Sequence, residues 1–192
     1  MKFLTDQFAE VVAPEGRPFL LADLRADLCA KSIWSYGRAG RLLSLRMLFS
    51  DGALCTVLYR LMRGLRRCHL GLPAAAVYKL NAFLTGAVIG RGAEFGPGLV
   101  ILHSVGLVIN SAVRGGTNVV VESGVVAGAE KGRSPVLGDH VFLGAGAKVI
   151  GGVRIGSGAR IGANAVVVND VPDGATAVGV PARIVRTREG DV

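Results

Sequence analysis

The sequence predicts a mainly β chain, a parallel β-helix of six-residue repeats with an α-helical region ahead of it. Two observations carry this reading. Every sixth residue from Ile89 to Val167 is aliphatic or aromatic with one exception: Ile89, Phe95, Ile101, Leu107, Val113, Val119, Val125, Leu137, Leu143, Val149, Ile155, Ile161 and Val167. The residue after the marked one is often glycine (Gly90, Gly96, Gly138, Gly144, Gly156, Gly162), so each unit reads as a short strand and a tight turn. A helix repeats every 3.6 residues and a strand every 2, and neither sustains a strict six. Units of this kind stack into coils that pair their backbones and share one narrow apolar core, which a lone repeat has no means to bury.

The exception to the period is Lys131, within the polar stretch Glu130-Lys131-Gly132-Arg133-Ser134-Pro135. Here the chain is expected to leave the coil as a loop and rejoin in register, and polar loops on a rigid scaffold often carry function. Residues 1–85 lack the six-fold pattern and read as helices over Leu20–Leu28, Gly52–Leu70 and Pro73–Leu84, with Pro73 tolerated in a first turn. The expected division is therefore 1–85 helical, 86–171 β-helix, and 172–192 a turn-rich end with a charged tail. Between Arg41 and Arg67, apolar residues alternate with Arg46, Arg60, Arg63, Arg66 and Arg67. Such a basic amphipathic stretch either packs its apolar face on protein with the arginines in water, or makes peripheral contact with an anionic membrane surface.

Composition narrows the classes further. Hydrophobic residues make up 51% of the 192, which excludes a chain that is mostly disordered, and 28 glycines without a triplet period exclude collagen. A formal net charge of +8 points to an anionic ligand or surface. No aromatic ribonucleoprotein motif, Cys/His finger or helix-turn-helix pattern accompanies it, so no nucleic-acid partner is expected. Cys29, Cys55 and Cys68 lack metal-ligand spacing and read as reduced thiols, and no metal is expected. The start, Met1-Lys2-Phe3-Leu4-Thr5-Asp6, matches no signal or lipidation motif, and no run of about 18 apolar residues occurs, so a cytoplasmic location is expected.

Longer stretches carry a family resemblance. Leu99-Val100-Ile101-Leu102-His103-Ser104, Gly106-Leu107-Val108-Ile109-Asn110, Val141 through Gly151, and Gly179-Val180-Pro181-Ala182-Arg183-Ile184-Val185 together resemble the serine acetyltransferase family of left-handed β-helix acyltransferases. The likeness extends over about 20–188, including Leu58-Tyr59-Arg60-Leu61 and Phe83-Leu84-Thr85-Gly86. It implies a homotrimer that binds acetyl-CoA as co-substrate in a groove between neighbouring β-helices and acetylates a hydroxyl without a metal. It also implies that His103 is the general base. Imidazole suits the role, since a hydroxyl is a poor nucleophile at neutral pH and an imidazole can take its proton during attack on the thioester and return one to the thiolate. Taken alone, a single histidine in an apolar run is more often a packing residue than a catalytic one. Glu122 is the next candidate base.

The same resemblance implies small residues where pantetheine would run, at Gly128, Ala145 and Ala163, and places Arg183 and Arg186 near the adenosine phosphates. Glycine and alanine also suit tight β-helix corners for purely structural reasons. Three acceptor-site positions depart from the family: Val88 and Leu102 stand where it has aspartates, and Ser134 where it has a histidine. Without those carboxylates an amino acid's ammonium would be left unpaired. The reading that follows is a sugar or polysaccharide O-acetyltransferase, with Ser104, Asn110, Arg133 and Ser134 meeting the sugar acceptor. Serine O-acetylation is the alternative, and a β-helix scaffold without catalysis a further one. Val120, Val121, Val126 and Val168 are expected to lie on outer faces covered by trimer partners.

Overall fold

The computed structural model describes residues 19–187 with Gly190 and Asp191; Met1–Asp6 and tail residues 188, 189 and 192 lie outside the described residues. Among the described residues four helices come first: α1 (Phe19–Tyr36), α2 (Arg41–Arg46, continued by a 3-10 turn Met47–Phe49), α3 (Ala53–Arg67) and α4 (Gly71–Thr85). Gly86 ends α4 in the left-handed region at φ 67°, and the first coil begins two residues later. Strands of two or three residues then build three parallel sheets. The first holds β1 (Val88–Ile89), β4 (Val108–Ile109), β7 (Val126–Gly128), β10 (Lys148–Ile150) and β13 (Val166–Val167). The second holds β2 (Glu94–Phe95), β5 (Arg114–Gly115), β8 (Val136–Leu137) and β11 (Arg154–Ile155). The third holds β3 (Val100–Ile101), β6 (Val120–Val121), β9 (Phe142–Leu143), β12 (Arg160–Ile161) and β14 (Thr176–Val178). One strand from each sheet makes a coil, so the architecture is the parallel β-helix that the repeats predict. The end expected as turn and tail adds β14 to the third sheet; β15 (Arg183–Thr187) then runs antiparallel to β14, and β16 (Gly190–Asp191) antiparallel to β15.

Each six-residue unit sends two side chains inward, the strand residue and the one two before it. Leu99 and Ile101, Val119 and Val121, Val141 and Leu143, and Ala159 and Ile161 are all 2% exposed or less. This doubling hides a slip in the repeat. Ile101 aligns with Val121, and Ile109 with Ala127, so the stretch between Ile101 and Ile109 holds two residues more than the regular unit between Val121 and Ala127. Leu107, Val113, Val119 and Val125 thus occupy the second inward position rather than the strand position. The loop between Ala127 and Leu137 holds four residues more than a regular unit. Two and four add up to one whole repeat, which is why the period looks unbroken beyond Lys131. The lengthened stretch contains Leu102, His103 and Ser104.

The helices dock through polar residues more than through leucines. Along α1 the buried positions are Asp23, Ala26, Asp27, Ala30, Lys31, Ser32 and Ile33, while Leu21 is 64% exposed. Arg60 of α3, 1% exposed, grips Asp27 with Nε to Oδ2 at 2.7 Å and Nη2 to Oδ1 at 2.8 Å, and reaches Asp23 at 3.1 Å. It also donates to the carbonyls of Phe95 (3.0 Å) and Gly96 (2.7 Å), while Asp27 accepts the amides of Gly98 (2.9 Å) and Leu99 (2.8 Å). Burial pushes the Asp27 carboxyl above its usual range against the pull of Arg60, and the attraction to Asp27 holds the guanidinium charged despite its burial. Tyr59 adds a second tie, its hydroxyl donating to Ala93 O and accepting from Phe95 N, both at 3.1 Å.

Two expectations are corrected here. The Arg41–Arg67 stretch is not one amphipathic helix with solvated arginines: Ser50-Asp51-Gly52 breaks it, its two halves meet at 95°, and Arg60 is core. Among the described residues no single helix is long and apolar enough to cross a membrane. Val121 is an inward core residue and Val120 is covered by Ala30 and Ile33 of α1, so neither is left for a partner, whereas Val168 is 47% exposed. Replacing Arg60 by Met should destabilise the fold by ~3–5 kcal/mol in urea unfolding, because two buried carboxylates lose their counter-charge.

Candidate active site

His103 lies on the two-residue excursion at the edge between the third and first sheets. Leu102 fixes its direction. The Leu102 amide bonds Val121 O at 3.0 Å and its side chain packs against the cluster of Ala30, Ile33, Val100 and Val120, so the next residue is delivered to the outside. The imidazole is 58% exposed, and its Nδ1 lies 3.2 Å from Oδ2 of Asp51, whose side chain is 81% exposed.

Asp51 reaches this position because the turn between α2 and α3 is pressed onto β3. Gly52 has φ 74°, and a Cβ there would stand 2.2 Å from Ile101 O, so only glycine allows the approach. Lys31 of α1, 5% exposed, binds the two chains together by donating to the carbonyl of Asp51 and, at 2.8 Å, to that of Ile101. Burial lowers the Lys31 ammonium to about 8, with Asp51 opposing. From the other side Ser104 donates its hydroxyl to Thr85 O at the end of α4, at 2.9 Å. Three helices therefore hold the segment that carries His103.

An ionised Asp51 can only accept, so the pairing places the imidazole proton on Nδ1 and leaves the Nε2 lone pair free to take a proton. That is the arrangement of an oriented general base. The carboxylate that Val88 does not supply from the first sheet comes instead from the helical region, 52 residues before the histidine. The Asp51-Gly52 dipeptide between two helical runs is a legible turn signal, but nothing in it says which coil it will touch.

Along the same edge follow Glu122 and then Ala145 and Ala163, each just after a third-sheet strand. The amides of Gly124, Gly146 and Asn164 bond the carbonyls of Val105, Ser123 and Ala145 at 2.9, 2.8 and 2.8 Å, forming a backbone ladder with small exposed side chains at Ala145 and Ala163. Lys148 folds its ammonium onto Gly124 O (3.1 Å) and Gly146 O (2.7 Å) beside it, a cation that sequence reading did not single out.

The remaining candidates lie elsewhere. Asn110, Gly128, Arg133 and Ser134 occupy the edge between the first and second sheets. Ser134 donates to Asn110 Oδ1 at 3.1 Å, and that oxygen also accepts the Ala112 amide at 2.9 Å. Arg133 is exposed, with its stem laid over Gly152, where a Cβ would come within 2.8 Å of it. Arg183 and Arg186 are exposed on β15, opposite Val178 and Thr176. One chain thus gathers His103, Asp51, Ser104, Ala145 and Ala163 on one edge, and does not bring Asn110, Gly128, Arg133 and Ser134 to it. Among the described residues no group of three or more His, Cys, Asp or Glu is placed to hold a metal.

The histidine–carboxylate pair stands on the edge of a six-residue-repeat β-helix, and the model of the bacterial transferase hexapeptide family (six repeats) matches residues 134–169. A serine acetyltransferase of Helicobacter pylori is 41% identical over 166 residues, covering 84% of this chain and 91% of that protein. One from Staphylococcus aureus is 43% identical over 119 residues, 60% of this chain and 56% of that one. Among solved structures, soybean serine acetyltransferase complexed with serine superposes with a TM-score of 0.80 at 33% identity, over 88% of this chain and 70% of that one. A serine acetyltransferase complex with CoA gives 0.80 at 28% identity, over 96% and 74%. The chain belongs to the serine acetyltransferase family, and it is an acetyltransferase that uses an acyl-CoA donor.

The sugar and polysaccharide reading is corrected by these relatives, all of which are named serine acetyltransferases. Its premise also fails in the structure. It counted carboxylates as missing around His103, yet Asp51 stands beside the imidazole, and Leu102, one of the three departures, turns into the helix packing.

Asp51→Asn should lower kcat by ~10-fold or more with KM for acetyl-CoA little changed, because the amide can favour the wrong imidazole tautomer. His103→Ala should cost ~100-fold or more. Steady-state thiol release measures both.

Proposed function

We propose that the protein transfers the acetyl group of acetyl-CoA to the hydroxyl of L-serine. The observation that carries this reading is the His103–Asp51 pair, 3.2 Å apart and open to solvent, in a chain 41% identical to a serine acetyltransferase over most of both lengths. His103 Nε2 takes the hydroxyl proton as the serine oxygen attacks the thioester carbonyl. The tetrahedral intermediate then expels the thiolate of CoA, which receives that proton from the imidazolium, leaving O-acetylserine and free CoA. Asp51 holds the imidazole and, as an exposed carboxylate, offers negative charge to the ammonium of the amino acid. Ala145 and Ala163 leave room for pantetheine along the backbone ladder, and Arg183 and Arg186 supply charge for the phosphates of CoA.

The assembly belongs to this proposal. The outer face of the first sheet is an aligned row, Val88, Val108, Val126, Lys148 and Val166. Val88 and Val108 are 36% and 40% exposed, and Lys148 has turned its charge to the edge. A homotrimer that covers this row would set the His103 edge of one copy toward the Asn110–Ser134 edge of the next, completing a cleft that no single chain contains. Light scattering should then give about three times 19.9 kDa, and Val108→Glu should yield monomers with little activity.

The test of the acceptor is thiol release from acetyl-CoA against L-serine and a panel of sugars and nucleotide sugars. Saturable turnover with L-serine, sugars being inert, and a product heavier than serine by one acetyl group are expected. Saturable turnover of a sugar with L-serine inert would overturn the proposal.

A further inference from the structure

Arg60 is buried between two aspartates, whereas Arg63, Arg66 and Arg67, which follow it on α3, are half-buried or exposed. Arg63, Arg66 and Arg67 meet the β1–β2 turn around a cleft of about 140 Å³ lined also by Arg91, Gly92, Ala93 and Glu94. Four guanidinium groups thus face one carboxylate, and that carboxylate lies 3.5 Å from Arg114 Nε. Two of the four are pinned by the first coil: Arg63 donates through Nη1 to Phe95 O at 2.8 Å, and Arg66 through Nη1 to Arg91 O. Arg63 also lies over the Tyr59 ring, 5.9 Å from its centroid. Each guanidinium carries five N–H donors, so one bond to a carbonyl fixes the group while leaving most of its fork for a ligand.

Burial, and after it the neighbouring Arg63, push the Arg67 guanidinium below its ordinary range, with Asp23 and Glu94 pulling the other way. The pull of the α3 dipole accounts for cations in its last turn, Arg66 and Arg67. It does not account for Arg63 a turn earlier, or for Arg91 arriving from another element. Planar forks converging on a concave site suit a tetrahedral oxyanion that accepts two bonds from each.

We propose that this cleft binds a phosphate-bearing small molecule, with a diphosphate or phosphomonoester group between Arg63, Arg66, Arg67 and Arg91. The cleft is distinct from acetyl transfer by its residues: its lining shares none with the His103 edge, and none with Asn110, Arg133 and Ser134 farther along the edge between the first and second sheets. It does not depend on serine being the acceptor.

The probe is sodium pyrophosphate, titrated calorimetrically into the full chain at ionic strength held constant with KCl, with and without saturating CoA. Binding at one site per chain is expected, unaffected by CoA, and weakened at least tenfold in an Arg67→Gln, Arg91→Gln double variant. Both arginines are exposed, and circular dichroism and retained thiol release will show that the variant is folded. Absence of binding, loss of binding when CoA is present, or wild-type affinity in the double variant would each overturn the proposal.

Discussion

Arg60, buried between Asp23 and Asp27, is the interaction on which the rest of the structure depends. Taking three charges out of water is costly, and the cost is met only because nearly every donor and acceptor in the cluster is used: two side chains of α1, two carbonyls and two amides of the first coil. Such a cluster tolerates little sliding. It fixes the orientation of α1 and α3 on the rim of the β-helix, where apolar packing alone would accept several registers.

The alignment of the site follows from that docking. Lys31 is one helical turn beyond Asp27 on α1, and Gly52 stands immediately ahead of α3. With both helices held, Lys31 reaches the carbonyls of Asp51 and Ile101 together, and Gly52 rests on the Ile101 carbonyl. The carboxylate of Asp51 then falls beside an imidazole two residues beyond Ile101. His103 and the carboxylate that holds its ring thus come from different parts of the chain, joined by an ion cluster that touches neither.

Much of this was legible in the sequence. The six-residue period fixed the architecture, and the resemblance around Leu102-His103-Ser104 pointed to the histidine that the structure pairs with Asp51. The two-residue insertion around His103 was not legible, because positions two apart are both apolar in this core and a slip between them leaves the pattern intact. Asp23 and Asp27 sit at the spacing of a buried helical face where leucines would be sought. Asp51 has no assignable partner without the helix packing, and the acceptor was misread for that reason: Val88 and Leu102 stand where the family has aspartates, while the carboxylate supplied by another element leaves no mark beside His103 in the sequence.

The central claim is that Asp51 holds His103 with its proton on Nδ1. Nitrogen NMR of imidazole-labelled protein at a pH where His103 is neutral tests it directly. The account predicts the Nδ1–H tautomer in the native chain and a shift toward Nε2–H in Asp51→Asn. A native His103 in the Nε2–H form, unchanged by that substitution, would contradict it.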